Sequence, residues 1–244
     1  MPTHLVINSA DRQSGGTASE FRVSIPSFYG TGLVALLSAS IPNTLYNISS
    51  ATNNNTIYWS RAATPYSATL SDGAYAVTDL LTALPAAMNN ADAGGVYSAT
   101  YNTVTMKLTI TSTDATFSLT LSNRTNAAWN NLGFQSTTNT AGALSQVGDS
   151  VIRLDFPAHL YIDISLPGQD VVNTSWVRAN YLVPMTNISQ YVEVYNRAST
   201  FDQLQCYSLG NGVSSLYVRL LRPDGSVAQL NGGEWSFVLG VEIN

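Results

Sequence analysis

The sequence predicts an all-β protein: an antiparallel β-sandwich, a single jelly roll with one short helix and long loops. Apolar and polar residues alternate with a period of two through many short segments. Clusters of Gly, Pro, Asn and Asp separate those segments at irregular intervals. No repeat of about 40 residues recurs, as it would in a propeller. Hydrophobic residues make up 45% of the 244, enough for a core that needs no staples.

In chain order, Leu5 to Ile7 and then Phe21, Val23 and Ile25 begin the pattern. Leu33 to Leu37 is nearly all apolar and suits a strand covered on both faces, and Pro42 ends it because proline cannot donate to a central ladder. Ile57 to Trp59 and Tyr66 to Leu70 are short strand candidates. Thr78 is placed to cap a helix from Asp79 to about Asn89, with Leu80, Leu81 and Leu84 on one side and Pro85 expected to shorten or kink it.

Val104 to Ile110 alternates, as does Phe117 to Leu121, and Ser112 to Ala115 would join the two as a hairpin loop. Leu160 to Leu166, Val192 with Val194, and Leu216 to Leu220 follow. Pro223-Asp224-Gly225 and Asn231-Gly232-Gly233 read as turns, after which Trp235, Phe237, Leu239, Val241 and Ile243 form one apolar face. Composition does not shift along the chain, so residues 1–244 read as one domain.

Only 10% of residues are charged, where about 25% is usual. Lys107 is the single lysine, and Ser, Thr and Asn carry the polar load. Such a surface costs little to desolvate and points to assembly; compositional drift is the alternative. Net charge is -5 and the arginines are scattered, which argues against direct nucleic-acid binding. Cys206 is alone, so there is no intrachain disulfide and no cysteine cluster for zinc. No secretory leader is visible, and no apolar run approaches the ~18 residues of a membrane span.

Chemistry is sparse. His159 lies four residues from Asp163, a spacing that shares a strand face, but no nucleophile elbow accompanies it, and a histidine bonded to a neighbour is the plainer reading. Asp155, Asp163, Glu193 and Glu234 are the acids available for paired-carboxylate chemistry, with no pattern that joins them. No phosphate-binding loop or EF-hand appears, and neither cofactor nor metal is expected. Thirteen tyrosines and four tryptophans suit subunit contacts or a sugar site, with core packing the alternative. Trp235 fits the core; Trp59, Trp129 and Trp176 stand near loops and are the interface candidates. Asp11-Arg12 lies in a turn after the first strand, where Asp11 can accept local amides and Arg12 can bridge to another chain or form an intrachain ion pair.

An ordered series of short motifs adds a resemblance. Asn8-Ser9-Ala10-Asp11-Arg12-Gln13-Ser14-Gly15 is followed by Phe21-Arg22-Val23, then by Ser40-Ile41-Pro42-Asn43-Thr44-Leu45-Tyr46-Asn47-Ile48. Gly73-Ala74-Tyr75, Leu132-Gly133-Phe134, Asp224-Gly225, Leu230-Asn231-Gly232 and Trp235-Ser236-Phe237 complete it. The series resembles penton or minor capsid proteins of virophages, Polinton-like viruses and related double-stranded DNA viruses, over nearly the whole chain. The resemblance implies an upright single jelly roll, a homopentamer at the icosahedral vertex beside a major capsid protein, a place in the virion, and no catalytic residue. It leaves contact with an internal membrane open. A receptor- or glycan-binding spike module and a β-sandwich hydrolase are the competing readings.

Overall fold

The computed structural model describes residues 3–27, 32–122, 127–135, 138–166, 171–174, 176–185, 192–196 and 206–243, with the backbone alone for 171–172 and 192–196. The chain forms two compact units, residues 1–45 with 157–244, and residues 46–156. The first unit opens with β1 (Thr3–Asn8), β2 (Glu20–Ser24) and β3 (Gly32–Pro42). The second contains β4 (Thr56–Arg61), β5 (Thr64–Thr69), α1 (Val77–Ala91), β6 (Tyr97–Asn102), β7 (Lys107–Ser112), β8 (Phe117–Leu119) and β9 (Ser145–Val147). The chain then returns to the first unit with β10 (His159–Ile164), β11 (Val171–Val172), β12 (Arg178–Ala179), β13 (Tyr181–Pro184), β14 (Val192–Asn196), β15 (Cys206–Leu209), β16 (Ser215–Leu221) and β17 (Ser236–Ile243).

In the first unit one sheet runs β1-β17-β3-β14, with β15 pairing the same β3 strand, and the other runs β13-β10-β16-β2. Taking β14 and β15 as one interrupted strand leaves eight strands in these sheets. In chain order they divide as first, eighth, third and sixth against fifth, fourth, seventh and second. That is jelly-roll connectivity, and every pairing in it is antiparallel. The jelly roll lies in residues 1–45 and 157–244, and residues 46–156 enter between its third and fourth strands. The sequence carries no composition change at either junction, so it reads as continuous there.

Inward residues of the two sheets make the jelly-roll core. Ile7, Phe237, Leu239 and Val241 are buried on one sheet, and Phe21, Val23, Leu160, Ile162, Ile164, Leu216, Val218 and Leu220 on the other. Each fully buried aliphatic side chain contributes about 1.5–3 kcal/mol. Tyrosines tie the sheets together: Tyr181 on β13 donates to the carbonyl of Val34 on β3 at 3.3 Å, and Tyr207 on β15 donates to the carbonyl of Asn180 at 2.6 Å. Their rings meet edge to face, which uses the attraction between a ring edge and a ring face.

The second unit packs α1 with two three-stranded sheets, β5-β4-β8 and β6-β7-β9. Leu80, Leu84 and Met88, one helical stripe, join Ile57, Trp59, Leu108, Ile110, Phe117 and Leu119 in its core. The helix is longer than the sequence suggests. It runs unbroken through Pro85, whose ring is buried and so offsets part of the backbone hydrogen bond it cannot make. Its cap residue is Ala76 rather than Thr78, and the Asp79 carboxylate accepts from the Ala76 amide at 3.0 Å.

The expected hairpin between Val104–Ile110 and Phe117–Leu121 does not form. β7 pairs with β6 and β9, whereas β8 pairs with β4. Asp114 turns the chain between sheets by accepting from Ser112 Oγ, the Val96 amide and Arg61. Val104 and Met106, read as strand, sit in the β6–β7 turn. There Asn102 Oδ1 accepts from the amides of Val104 and Thr105, and Val104 is 86% exposed.

Candidate assembly surface

The outer face of β13-β10-β16-β2 carries a cross-strand ladder of charged and phenolic side chains at its β16-β2 end. Cross-strand register sets Arg22 opposite Tyr217 and places Glu20 and Asp163 on either side of Arg219, while Tyr161 opposite Leu221 is covered by Val177, Ala179 and Val227 of the same chain. Arg219 donates through Nε and one terminal nitrogen to Asp163 Oδ2, at 2.9 and 2.5 Å. The Tyr217 hydroxyl donates to Glu20, and that bond favours the neutral phenol, with burial adding to it, so the Tyr217 pKa is raised. The Arg22 guanidinium lies 5.0 Å from the Tyr217 ring centroid and that of Arg219 lies 6.0 Å away. Two guanidiniums and two carboxylates thus balance around one phenol.

Beside Tyr217 a cavity of about 330 Å³ opens, lined by Gln13 to Thr17, Glu20, Phe21 and Arg22. Among the described residues no carboxylate pairs with Arg22. Sequence reasoning missed this ladder. Its signal was present in Glu20-Phe21-Arg22 and Tyr217-Val218-Arg219, where charged or phenolic residues alternate with apolar ones, but the register that aligns them was not.

Trp176 is presented at the tip of the β11–β12 hairpin. It is 79% exposed and adopts φ 60, a left-handed conformation that bulky residues avoid. Asn173 builds the tip: its carbonyl accepts from the Trp176 amide, its Oδ1 accepts from the Val177 amide, and its Nδ2 donates to the Pro223 carbonyl at 2.5 Å. Gly225 lets the hairpin approach the following turn, since a Cβ there would lie 2.9 Å from Val177 Cγ2.

The other candidate residues lie elsewhere. Trp59 is fully buried in the second unit, stacked on Tyr66 and donating from Nε1 to the Tyr97 hydroxyl at 3.0 Å. Trp129 is 2% exposed in the same core, packed edge to face on Phe134. Both are core residues, for proximity to a loop in sequence does not reveal which way a side chain points. Arg12 is held within its own chain. It donates to Glu234 Oε1 and to the Ser9 carbonyl, each at 2.7 Å, and Ser9 Oγ donates to the same carboxylate at 2.5 Å. Those bonds, from Ser9 and then Arg12, hold the Glu234 pKa below its ordinary value. Asp11 is exposed at the end of a 3-10 turn, where Asn8 rather than Asp11 accepts a backbone amide.

His159 meets Tyr161, at 3.1 Å, while Asp163 is engaged by Arg219. No group of three His, Cys, Asp or Glu side chains among the described residues is arranged to hold a metal ion. In the second unit Arg61 clamps Asp92 through two bonds of 2.5 and 2.6 Å, and Tyr97 donates to the same carboxylate. That arrangement pins β4 to the end of α1.

Against known proteins, no family model matches and no curated protein matches. Among solved structures the chain is similar to the crystal structure of the mavirus penton protein, at 12% identity and a TM-score of 0.47. The similarity spans 100% of this chain and 92% of that one.

Proposed function

We propose that the chain is a structural virion protein, a penton or minor capsid subunit that closes icosahedral vertices by joining copies of itself and a major capsid protein. The observation that carries the reading is a jelly roll whose outer four-stranded face neutralises its own charge. Glu20 and Asp163 flank Arg219, and Arg22 lies over Tyr217, so the two cations and two carboxylates of this patch sum to zero charge, with Arg22 covered by a ring rather than by a carboxylate. In a chain with only 10% charged residues, the rest of the surface is cheap to desolvate. The motif series supports the same reading. The test is native mass spectrometry of the purified protein together with imaging of purified particles. The expected result is a ring of five 26.1 kDa chains placed at the vertices. A chain found only in soluble host fractions and never in particles would refute it.

A glycan-binding spike or fibre module is the second reading, favoured by the exposed Trp176 ring, which offers a flat face to a sugar. A glycan array on which the protein binds nothing would remove it.

A further inference from the structure

We propose that Trp176 of one copy inserts into the cavity beside Tyr217 of the next copy, so that self-association proceeds head to tail. The inference rests on the self-association proposed above and names its contact. The knob is a bulky residue held at φ 60 and 79% exposed, on a tip that Asn173 fastens to the turn after β16. Strained backbone that surrounding bonds hold in place clusters at functional positions. The same bonds mean that the indole is ordered before it meets a partner, which lowers the cost of docking.

The hole is the cavity of about 330 Å³ lined by Tyr217, Glu20, Gln13, Ser14 and the open backbone at Gly15. Its one cation, Arg22, has no carboxylate partner among the described residues and already lies over an aromatic ring. A second ring on the opposite face of that guanidinium completes a cation–π sandwich. This complementarity selects a second copy as the occupant: the chain itself exposes the ring that the hole lacks. Knob and hole are different patches of one jelly roll. The hairpin is fastened beyond the Leu221 end of β16, and the hole lies at Tyr217 and the β2 edge. Where no two-fold axis returns the same contact, a contact between unlike patches is heterologous, and heterologous contacts generate closed rings when the rotation closes.

The test uses Trp176→Ala and Ser14→Trp in the 244-residue chain. The first removes the knob and the second fills the hole, at an exposed position whose side chain makes no hydrogen bond among the described residues. Sedimentation velocity and native mass spectrometry read assembly, and near-ultraviolet circular dichroism checks folding. Each variant alone is expected to weaken self-association at least about 30-fold, the loss typical of a central tryptophan anchor. Mixing the two is expected to give one-to-one pairs, because one variant keeps the knob and the other keeps the hole. Either variant assembling as tightly as the parent, a mixture that forms no pairs, or a parent that stays monomeric at high concentration overturns the proposal. A parent that assembles and occupies particles while both variants do the same leaves the capsid reading standing and removes only this contact. Sugar binding lost in Trp176→Ala, with assembly unchanged, assigns the ring to a glycan instead.

Discussion

Replacing Trp59 by phenylalanine removes two contributions that the structure separates. The indole N–H donates to the Tyr97 hydroxyl at 3.0 Å in a fully buried setting, and losing such a bond costs about 1 kcal/mol. The smaller ring leaves a void of about 40 Å³, which at about 24 cal/mol per Å³ adds about 1 kcal/mol. The expected destabilisation is therefore about 2 kcal/mol, read from urea unfolding followed by circular dichroism, with an unchanged denaturant slope. Trp129→Phe is the control. Trp129 is equally buried, but its Nε1 finds no acceptor among the described residues, so phenylalanine there relieves an unpaired donor. It is expected to cost at least about 1 kcal/mol less than Trp59→Phe. Equal losses at the two positions, or a loss below about 0.5 kcal/mol at Trp59, would refute the packing described for the second unit.

Other outcomes follow from single contacts. Asp92, held first by its bonds to Arg61, and Glu234, held first by Ser9 and then Arg12, both ionise below their ordinary values in the folded chain. A carboxylate with a depressed folded pKa adds stability that is complete above its unfolded pKa and is lost as pH falls through the folded value. Melting temperature should therefore hold from pH 7 to about 5 and drop below about pH 4, and a flat profile down to pH 2 contradicts these ion pairs. Gly133→Ala should cost about 2 kcal/mol or more, because φ is +86 there and the added Cβ would lie 2.5 Å from the Ser150 carbonyl oxygen; calorimetry showing a stable variant would contradict that turn. Asn173→Ala should loosen the Trp176 tip, raising the tryptophan's fluorescence mobility with little change in global unfolding; unchanged anisotropy counts against the tip being built by Asn173.

Much of the fold is legible along the chain because alternation is local. Leu160, Ile162 and Ile164 point inward on β10 as their spacing predicts, and Tyr161 and Asp163 lie on the other face. Pro223-Asp224-Gly225 and Asn231-Gly232-Gly233 turn where the residues demand it, with Gly225 and Gly232 at positive φ.

Which strand lies beside which was decided only in three dimensions. Leu108–Ile110 and Phe117–Leu119 look like two arms of a hairpin yet belong to different sheets. Asp163 takes Arg219, 56 residues away, instead of His159 four residues away, and Arg12 finds Glu234 across 222 residues. Trp59 and Trp176 both stand near loops in sequence, and one is wholly enclosed while the other stands out in solvent. The physical reason is common to all of these. A strand's period states which of its faces is apolar, but pairing register and sheet membership depend on backbone hydrogen bonds to distant segments, and those partners leave no mark within the strand itself.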